Sequence, residues 1–179
     1  MRRIVIGIFV SLLLIGFLPI NVAAEVAPTP VSTPSAVTSF ELFWPIVAGK
    51  TEGDSLYFIK TLKENLRGKL IFGVAQKADY SVFLATKRIV EAEKLIFEGK
   101  SDLAEKTLVR ASRQIDKATV NVDKALASNT PFQEQAVNMG NRLSNLETFI
   151  PGLLLKGDKN KETLNKLQEK INSLKVKLL

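Results

Sequence analysis

The sequence predicts an all-α fold, an up-and-down bundle of about four to five helices with heptad, Ala-rich seams. The main observation is that apolar residues recur at alternating spacings of four and three between residues 71 and 150, the period of helices that pack side by side. Gly73, Gly99 and the Pro151-Gly152 pair fall at the expected ends of these periodic stretches. Strand-like patterning is confined to a short ambiguity at residues 70–74.

Residue types missing from the composition limit the chemistry. None of the 179 residues is cysteine or histidine, which excludes Cys nucleophiles, Ser-His-Asp triads, Cys/His zinc sites and disulfides. Neither a Gly-x-Ser-x-Gly motif nor a phosphate-binding glycine loop is present. We therefore expect a protein that is not an enzyme and has no catalytic residues, cofactor or metal. A carboxylate-dependent hydrolase is a distant alternative that would use glutamates of the first two helices, Glu64, Glu91, Glu93 and Glu98.

The N-terminus is typical of a secretory signal peptide. Two arginines precede a largely apolar stretch over residues 4–18, and Pro19 and the small residues 22–24 follow it. The sequence therefore predicts a signal over residues 1–24 and an extracytoplasmic protein, either secreted or tethered to the outer face of the cytoplasmic membrane. An uncleaved anchor is the alternative, because residues 4–22 together make 19 positions, close to the roughly 20 residues of a membrane-spanning helix.

Two segments precede the helical region. Residues 25–39 contain three prolines among Ala, Val, Ser and Thr, which predicts an extended linker. Residues 40–53 form an aromatic segment in which Trp44 precedes a proline, so no helix is expected to continue through that point. We expect Trp44 to cover the core of the bundle.

The predicted bundle spans residues 54–155 and begins with a helix over residues 55–72, followed by a second helix that ends at Glu98. One side of the first helix is apolar and is expected to pack on the core: Leu56, Ile59, Leu62, Leu66 and Leu70. The second helix carries an unbroken seam: Ile71, Ala75, Ala78, Val82, Ala85, Ile89, Ala92 and Ile96.

The third helix follows Gly99, with Ser101 as its expected cap, and its seam alternates Ala with a larger residue: Ala104, Leu108, Ala111, Ile115, Ala118, Val122 and Ala125. Because small residues let two backbones approach closely, helices two and three are expected to form a tight antiparallel hairpin. A capping-box pattern over residues 130–133 begins the fourth helix, which Pro151-Gly152 is expected to end. Its seam is Phe132, Ala136, Met139, Leu143, Leu146 and Ile150.

The C-terminal segment, residues 156–179, predicts a basic amphipathic helix. It carries 7 Lys and Arg against 3 Asp and Glu, whereas residues 25–155 carry 16 against 15. Such a helix is able to bind an anionic membrane or wall polymer, here through Lys159, Lys161, Lys166 and Lys170. The alternative is that its narrow stripe docks on the bundle. Nucleic acid is not an expected partner, because aromatic residues are not interleaved with the basic ones.

Charged residues of the first two helices carry a family resemblance. Residues 55–60 read Ser-Leu-Tyr-Phe-Ile-Lys and are followed by Glu64, and residues 87–93 read Lys-Arg-Ile-Val-Glu-Ala-Glu. This combination resembles the bacterial family called domain of unknown function 5667, over about residues 50–130. The resemblance implies a helical extracytoplasmic domain of unknown activity, and it implies no catalytic residue.

Five of these residues are placed where the two helices can meet. Tyr57, Lys60 and Glu64 share one face of the first helix, and Arg88 and Glu91 are three residues apart on the second. We expect a Glu64–Arg88 ion pair, with Tyr57 nearby, that fixes the register of the helices. The alternative is a recognition patch for a protein partner.

The sequence thus favours a non-catalytic protein-interaction or sensor domain in the cell envelope. The alternative is a peripheral envelope-binding protein that attaches to an anionic membrane or wall polymer through its C-terminal helix.

Overall fold

The computed structural model describes residues 37–129 and 131–179. This part of the chain has no strand and contains six α-helices: α1 Ser39–Phe43, α2 Tyr57–Leu70, α3 Val74–Phe97, α4 Ser101–Ala127, α5 Gln133–Lys156 and α6 Lys161–Val176. The predicted all-α bundle is confirmed, with one short helix, α1, beyond the expected number. The predicted signal over residues 1–24, and the linker as far as residue 36, lie outside the described residues.

Four long helices, α3 to α6, form the bundle. α3 packs mainly against α4 and α5, and α6 packs against the same two helices from the opposite corner. α4 and α6 run parallel, because Asn160 and Lys170 just before and within α6 contact Ser101 and Asp116 of α4 in the same order. Helices that follow each other in sequence are therefore antiparallel, as in an up-and-down bundle.

The Ala-rich seams form the core. All seven seam residues of α4 are fully buried, as are the seam residues of α3 between Ala78 and Ala92. The predicted ends of the α3 seam, Ile71 and Ile96, are only partly buried. α3 and α4 have the most extensive contact of any helix pair described, which confirms the predicted hairpin. Gly99 joins them with a φ of 71°, a left-handed conformation that favours glycine.

Several predicted helix ends are wrong. Pro151 lies inside α5, which continues to Lys156. Its neighbours Ile150 and Leu153 are buried in the core, and this burial maintains the last turn in spite of the proline. α5 begins at Gln133 with Phe132 as its N-cap, and the Phe132 side chain makes no capping hydrogen bond. Thr130, the predicted cap, lies outside the described residues.

The starts of two other helices also differ. Ser101 is the first residue of α4 rather than its cap. α2 begins at Tyr57 rather than at residue 55, and in the turn before it Asp54 accepts a hydrogen bond from the backbone N–H of Thr51 at 2.6 Å.

The aromatic segment contacts the bundle through a different residue from the one predicted. Trp44 is 66% exposed, whereas Phe43 is buried and packs edge to face on Phe149 of α5, with ring centroids 5.3 Å apart. Phe43 is the last residue of α1, and Trp44 follows it with a non-helical backbone, ψ 132°. Phe43 therefore contacts α5 while Trp44 is left exposed, and the prediction for Trp44 is wrong.

The largest correction concerns α2, which is turned away from the predicted orientation. The apolar residues expected to pack on the core are 50–64% exposed: Leu56, Ile59, Leu62, Leu66 and Leu70. The side of α2 that faces the bundle instead buries Tyr57 and Glu64.

The C-terminal helix shows the opposite behaviour. The stripe of α6 is fully buried between α4 and α5 at Leu164, Leu167, Ile171 and Leu174. Of the two sequence alternatives for this segment, the structure contains the docked one. Within the described residues, none of the helices combines the length and apolar character that crossing a membrane requires.

Candidate functional site

A polar cluster joins α2 to α3. The structure brings together all five residues predicted as an interaction or register patch, and adds Lys87. The polar cluster consists of Tyr57, Lys60, Glu64, Lys87, Arg88 and Glu91. Its α2 members lie at spacings of three and four, which places them on one face of the helix.

Arg88 is the centre of the cluster. Its Nη1 donates to Oε1 and Oε2 of Glu91 at 2.6 and 2.8 Å, and its Nη2 donates to Oε2 of Glu64. Glu91 is completely buried, and Arg88 is nearly so. Burial by itself lowers the pKa of the Arg88 guanidinium, but the charges of Glu91 and Glu64 outweigh it and hold that pKa above its ordinary value.

Tyr57 and Lys60 complete the environment of Glu91. Tyr57 Oη donates to Glu91 Oε2 at 3.1 Å, and Lys60 Nζ lies 2.6 Å from Glu91 Oε1. Burial, followed by the charge of Glu91, raises the pKa of Tyr57 to about 12. Burial also lowers the pKa of Lys60, by more than the hydrogen bond and charge of Glu91 raise it. Tyr57 thus contacts Glu91 as a neutral hydroxyl donor, and Lys60 contacts it as an ammonium group.

Lys60 also connects the cluster to the segment before α2. Its Nζ donates to the backbone carbonyls of Ala48 and Lys50 at 2.8 and 2.6 Å. Behind Tyr57, the guanidinium of Arg110 from α4 lies 5.6 Å from the ring centroid and pairs with Glu52 at 2.9 Å. The start of α2 is therefore fixed both to the bundle and to the preceding loop.

Lys87 is the member that sequence reasoning missed. Its Nζ lies 2.6 Å from Glu64 Oε1, beside the bond that Arg88 makes to the other oxygen. The signal was present, since Lys87 is the first residue of the 87–93 motif. It could not be interpreted without knowing that α2 crosses this side of α3.

The carboxylates of the cluster are directed at cations of the protein itself. Each oxygen of Glu64 contacts one cation, and each oxygen of Glu91 is contacted at least twice. In the part of the chain that the structure describes, acidic residues form no group suited to hold a metal ion. The arrangement is suited to fixing one helix against another rather than to acid–base chemistry.

The opposite side of α2 is apolar and faces outward. The outer α2 face consists of Phe58, Ile59, Leu62, Leu66 and Leu70, all at least half exposed, and Phe72 extends it at 84% exposure. The exposed charged residues of α2 are all basic, Lys63, Arg67 and Lys69, since its single acidic residue is the buried Glu64. Contiguous exposed apolar surface of this kind is unusual on monomeric proteins and marks interaction sites.

A groove runs beside this face, between α2, α3 and α4, with a volume of about 460 Å³. Three lysines line it, one from each helix: Lys69, Lys77 and Lys117. Among the described residues none of the three makes an ion pair. We name this feature the basic groove.

The model of a protein family described as Domain of unknown function (DUF5667) matches residues 49–174. The chain belongs to this family. The match includes the polar cluster and the helices from α2 to the buried stripe of α6, and so extends further than the predicted range of about 50–130. The comparisons found no match among curated proteins and none among solved structures.

The basic C-terminal residues of this DUF5667 domain are mostly paired. Lys166 pairs with Glu162 at 2.6 Å, Lys161 with Asp158 at 2.6 Å, and Lys170 with Asp116 of α4 at 2.8 Å. Lys159 is exposed and has no ion pair among the described residues. The four lysines predicted to bind an anionic surface therefore do not form one unpaired patch.

Proposed function

We propose that this protein is a non-catalytic binding domain of the cell envelope, in which the bundle presents the outer α2 face to a partner outside the cytoplasm. The observation that carries the proposal is the orientation of α2: its polar side is buried and its leucines are exposed. An apolar face that is fixed outward by specific contacts is a surface suited to binding.

The polar cluster explains why α2 does not rotate about its axis to bury its leucines. Turning the leucines inward would remove Tyr57, Lys60 and Glu64 from Arg88 and Glu91, two charged residues of α3 that α2 covers. Leaving a buried charge without its partner costs about 3 to 5 kcal/mol. The exposed face is therefore a stable property of the fold.

Two sequence properties support the rest of the proposal. The pattern over residues 1–24 is that of a signal for export, and a chain without Cys or His lacks the groups that most hydrolytic and redox enzymes use. Envelope attachment through the C-terminal helix has less support, because the stripe of α6 is buried and three of its four candidate lysines are ion-paired.

Cysteine labelling in cells tests this proposal. Because the sequence has no native cysteine, only the introduced cysteine of each variant can be labelled. Leu66→Cys on the outer α2 face is compared with Val176→Cys on α6, where the native residues are 57% and 71% exposed. Intact cells are treated with a membrane-impermeant maleimide, and the purified proteins serve as the reference.

We expect Val176→Cys to label in intact cells and Leu66→Cys to label much less in cells than in purified protein, because its partner covers it. Labelling of Val176→Cys only after lysis would contradict an extracytoplasmic location. Equal labelling of the two cysteines in cells would contradict a docking role for α2.

A further inference from the structure

The charge around the outer α2 face identifies the chemistry of its partner. The lysines Lys63 and Lys69 flank the leucines and make no ion pair among the described residues, while Arg67 lies over the ring of Tyr80 at 5.4 Å from its centroid. Because no exposed acidic residue belongs to α2, the face is complementary to a partner that is both apolar and anionic.

The basic groove adds charge at the edge of the same face. Leu62 belongs to both features, and Lys69, Lys77 and Lys117 bring three ammonium groups from α2, α3 and α4. Other lysines of the bundle are ion-paired, as at Lys100 with Glu98 and Lys177 with Asp123. Lysines without an ion pair among the described residues also occur elsewhere, such as Lys106 and Lys124 of α4, but Lys63, Lys69, Lys77 and Lys117 lie on or beside α2.

Two other occupants fit this surface less well. A second copy of the chain docked through α2 would bring the lysines of both copies together, and like charges repel. A wall polymer supplies anionic phosphates or carboxylates but no apolar phase for Leu62 and Leu66. A helix with an apolar face and lysines along its edges has the composition of helices that lie in the interface of an anionic bilayer.

We propose, resting on the function proposed above, that the partner of α2 is the anionic surface of a phospholipid bilayer. The outer α2 face enters the boundary between headgroups and acyl chains, and the lysines of the basic groove bind lipid phosphates. The bundle remains above the membrane with α6 on its far side.

Vesicle sedimentation of residues 25–179 tests the proposal. This portion contains every described helix and the whole described core, from Phe43 to Leu174, and it omits the apolar N-terminal stretch, which would itself enter vesicles. Vesicles of phosphatidylcholine alone are compared with vesicles that also contain phosphatidylglycerol. Far-ultraviolet circular dichroism verifies that each variant is folded.

Three variants separate the contributions. One removes two exposed leucines, Leu62→Gln with Leu66→Gln. The second removes the groove charges, Lys69→Gln with Lys77→Gln and Lys117→Gln. The third is a matched control that removes three charges from α6, Lys161→Gln with Lys166→Gln and Lys170→Gln.

We expect the wild type to bind only the anionic vesicles, and less tightly as salt rises from about 0.01 M to about 0.15 M. The groove variant should lose about 100-fold in affinity, at roughly one order of magnitude or less per lysine near the surface. The leucine variant should lose at least about tenfold, and the α6 control should keep the wild-type affinity.

The proposal is overturned if the wild type binds neither kind of vesicle, if it binds both equally, or if the α6 control loses as much affinity as the groove variant. Absence of vesicle binding together with protection of Leu66→Cys in cells overturns the lipid partner and leaves the binding function standing, with an acidic protein as the partner. Equal labelling of the two cysteines in cells overturns the binding function itself.

Discussion

Helices α2 and α6 have similar patterns of apolar and basic residues, but α6 buries its apolar stripe and α2 exposes it. They have 14 and 16 residues, and each combines a stripe of leucines and isoleucine with several lysines. α6 buries its stripe completely, and all its lysines take part in ion pairs. α2 exposes its stripe, and two of its lysines, Lys63 and Lys69, have no ion pair among the described residues.

The difference comes from what each neighbour offers. α6 meets an apolar surface of α4 and α5, and its polar side is satisfied at the surface by contacts such as Lys166–Glu162. α2 meets the side of α3 that carries Arg88 and Glu91, whose buried charges need polar partners. The comparison shows that the buried charges of the neighbour, and not the apolar stripe of the helix itself, fix the orientation of α2.

Removing Arg88, the central cation of the polar cluster, should produce the largest loss of stability and should loosen α2 without affecting α6. Arg88→Met keeps most of the side-chain volume but leaves Glu64 and Glu91 with fewer partners, and we expect a loss of about 3 to 5 kcal/mol in the free energy of unfolding. Urea denaturation followed by circular dichroism measures it. Hydrogen exchange should show lower protection of α2 than in the wild type, with α6 unchanged.

The control for this change is Arg142→Met. Arg142 pairs with Asp79, and both side chains are about 30% exposed or less. Loss of this partly exposed pair should cost under about 1 kcal/mol. Equal losses for Arg88→Met and Arg142→Met would contradict the role given to the buried cluster.

Truncating one leucine in the stripe of each helix should give the next largest effect on stability, with a much larger loss in α6 than in α2. Leu167→Ala removes a fully buried side chain of α6, and we expect a loss of about 2 to 5 kcal/mol. Leu66→Ala removes a side chain of α2 that is 57% exposed, and we expect a change within about 0.5 kcal/mol. Urea denaturation of both variants measures the difference, and a costly Leu66→Ala would show that the outer α2 face is covered in the free protein.

The phenol of Tyr57 should make the attachment of α2 sensitive to high pH. Its pKa is raised from 10.0 in the unfolded chain to about 12 in the folded protein, so its contribution to stability is complete below about pH 10 and is lost as pH rises through about 12. We expect the wild type to lose its stability advantage over Tyr57→Phe across this interval. Thermal unfolding of both proteins at a series of pH values measures it.

The titration of Lys60 changes the stability of the fold with pH in the opposite direction. Its lowered pKa means that the folded state releases its proton more readily, which adds stability as pH rises. Because the wild type and Tyr57→Phe both retain Lys60, the difference in stability between them reports the contribution of the Tyr57 phenol. A difference that stays constant with pH would show that the phenol of Tyr57 is not buried against Glu91.

Neutralising the C-terminal lysines should have the smallest effect. Replacing Lys159, Lys161, Lys166 and Lys170 by Gln removes exposed or partly exposed charges and leaves the buried stripe of α6 unchanged. We expect only a slight shift of the urea midpoint. A large shift would indicate that the surface ion pairs, rather than the stripe, hold α6 on the bundle.

Much of the fold could be predicted because it depends on local spacing. The seams of α3 and α4 were identified residue by residue, since a spacing of four and three leaves one side of a helix apolar wherever that helix lies. The same spacing placed Tyr57, Lys60 and Glu64 on one face. The Glu64–Arg88 pair followed from these two facts, and the structure contains it.

Several predictions that required knowledge of a neighbour were wrong. Pro151 is a signal for the end of a helix, yet burial of Ile150 and Leu153 continues α5 past it. Phe43 and Trp44 are both suited to cover a core, and the position of Phe149 decides between them. Both outcomes depend on tertiary contacts, and Phe149 is more than 100 positions from Phe43, so no local pattern records them.

The helical periods, the all-α class and the exclusion of thiolate and imidazole chemistry follow from residue type and spacing alone. The side of α2 that faces water depends on packing between helices. A helix with one apolar and one polar side has two ways to lie on a bundle, and its own residues do not distinguish them. The buried charges of Arg88 and Glu91 do so, because they are stable in the interior only when Tyr57, Lys60 and Glu64 turn toward them.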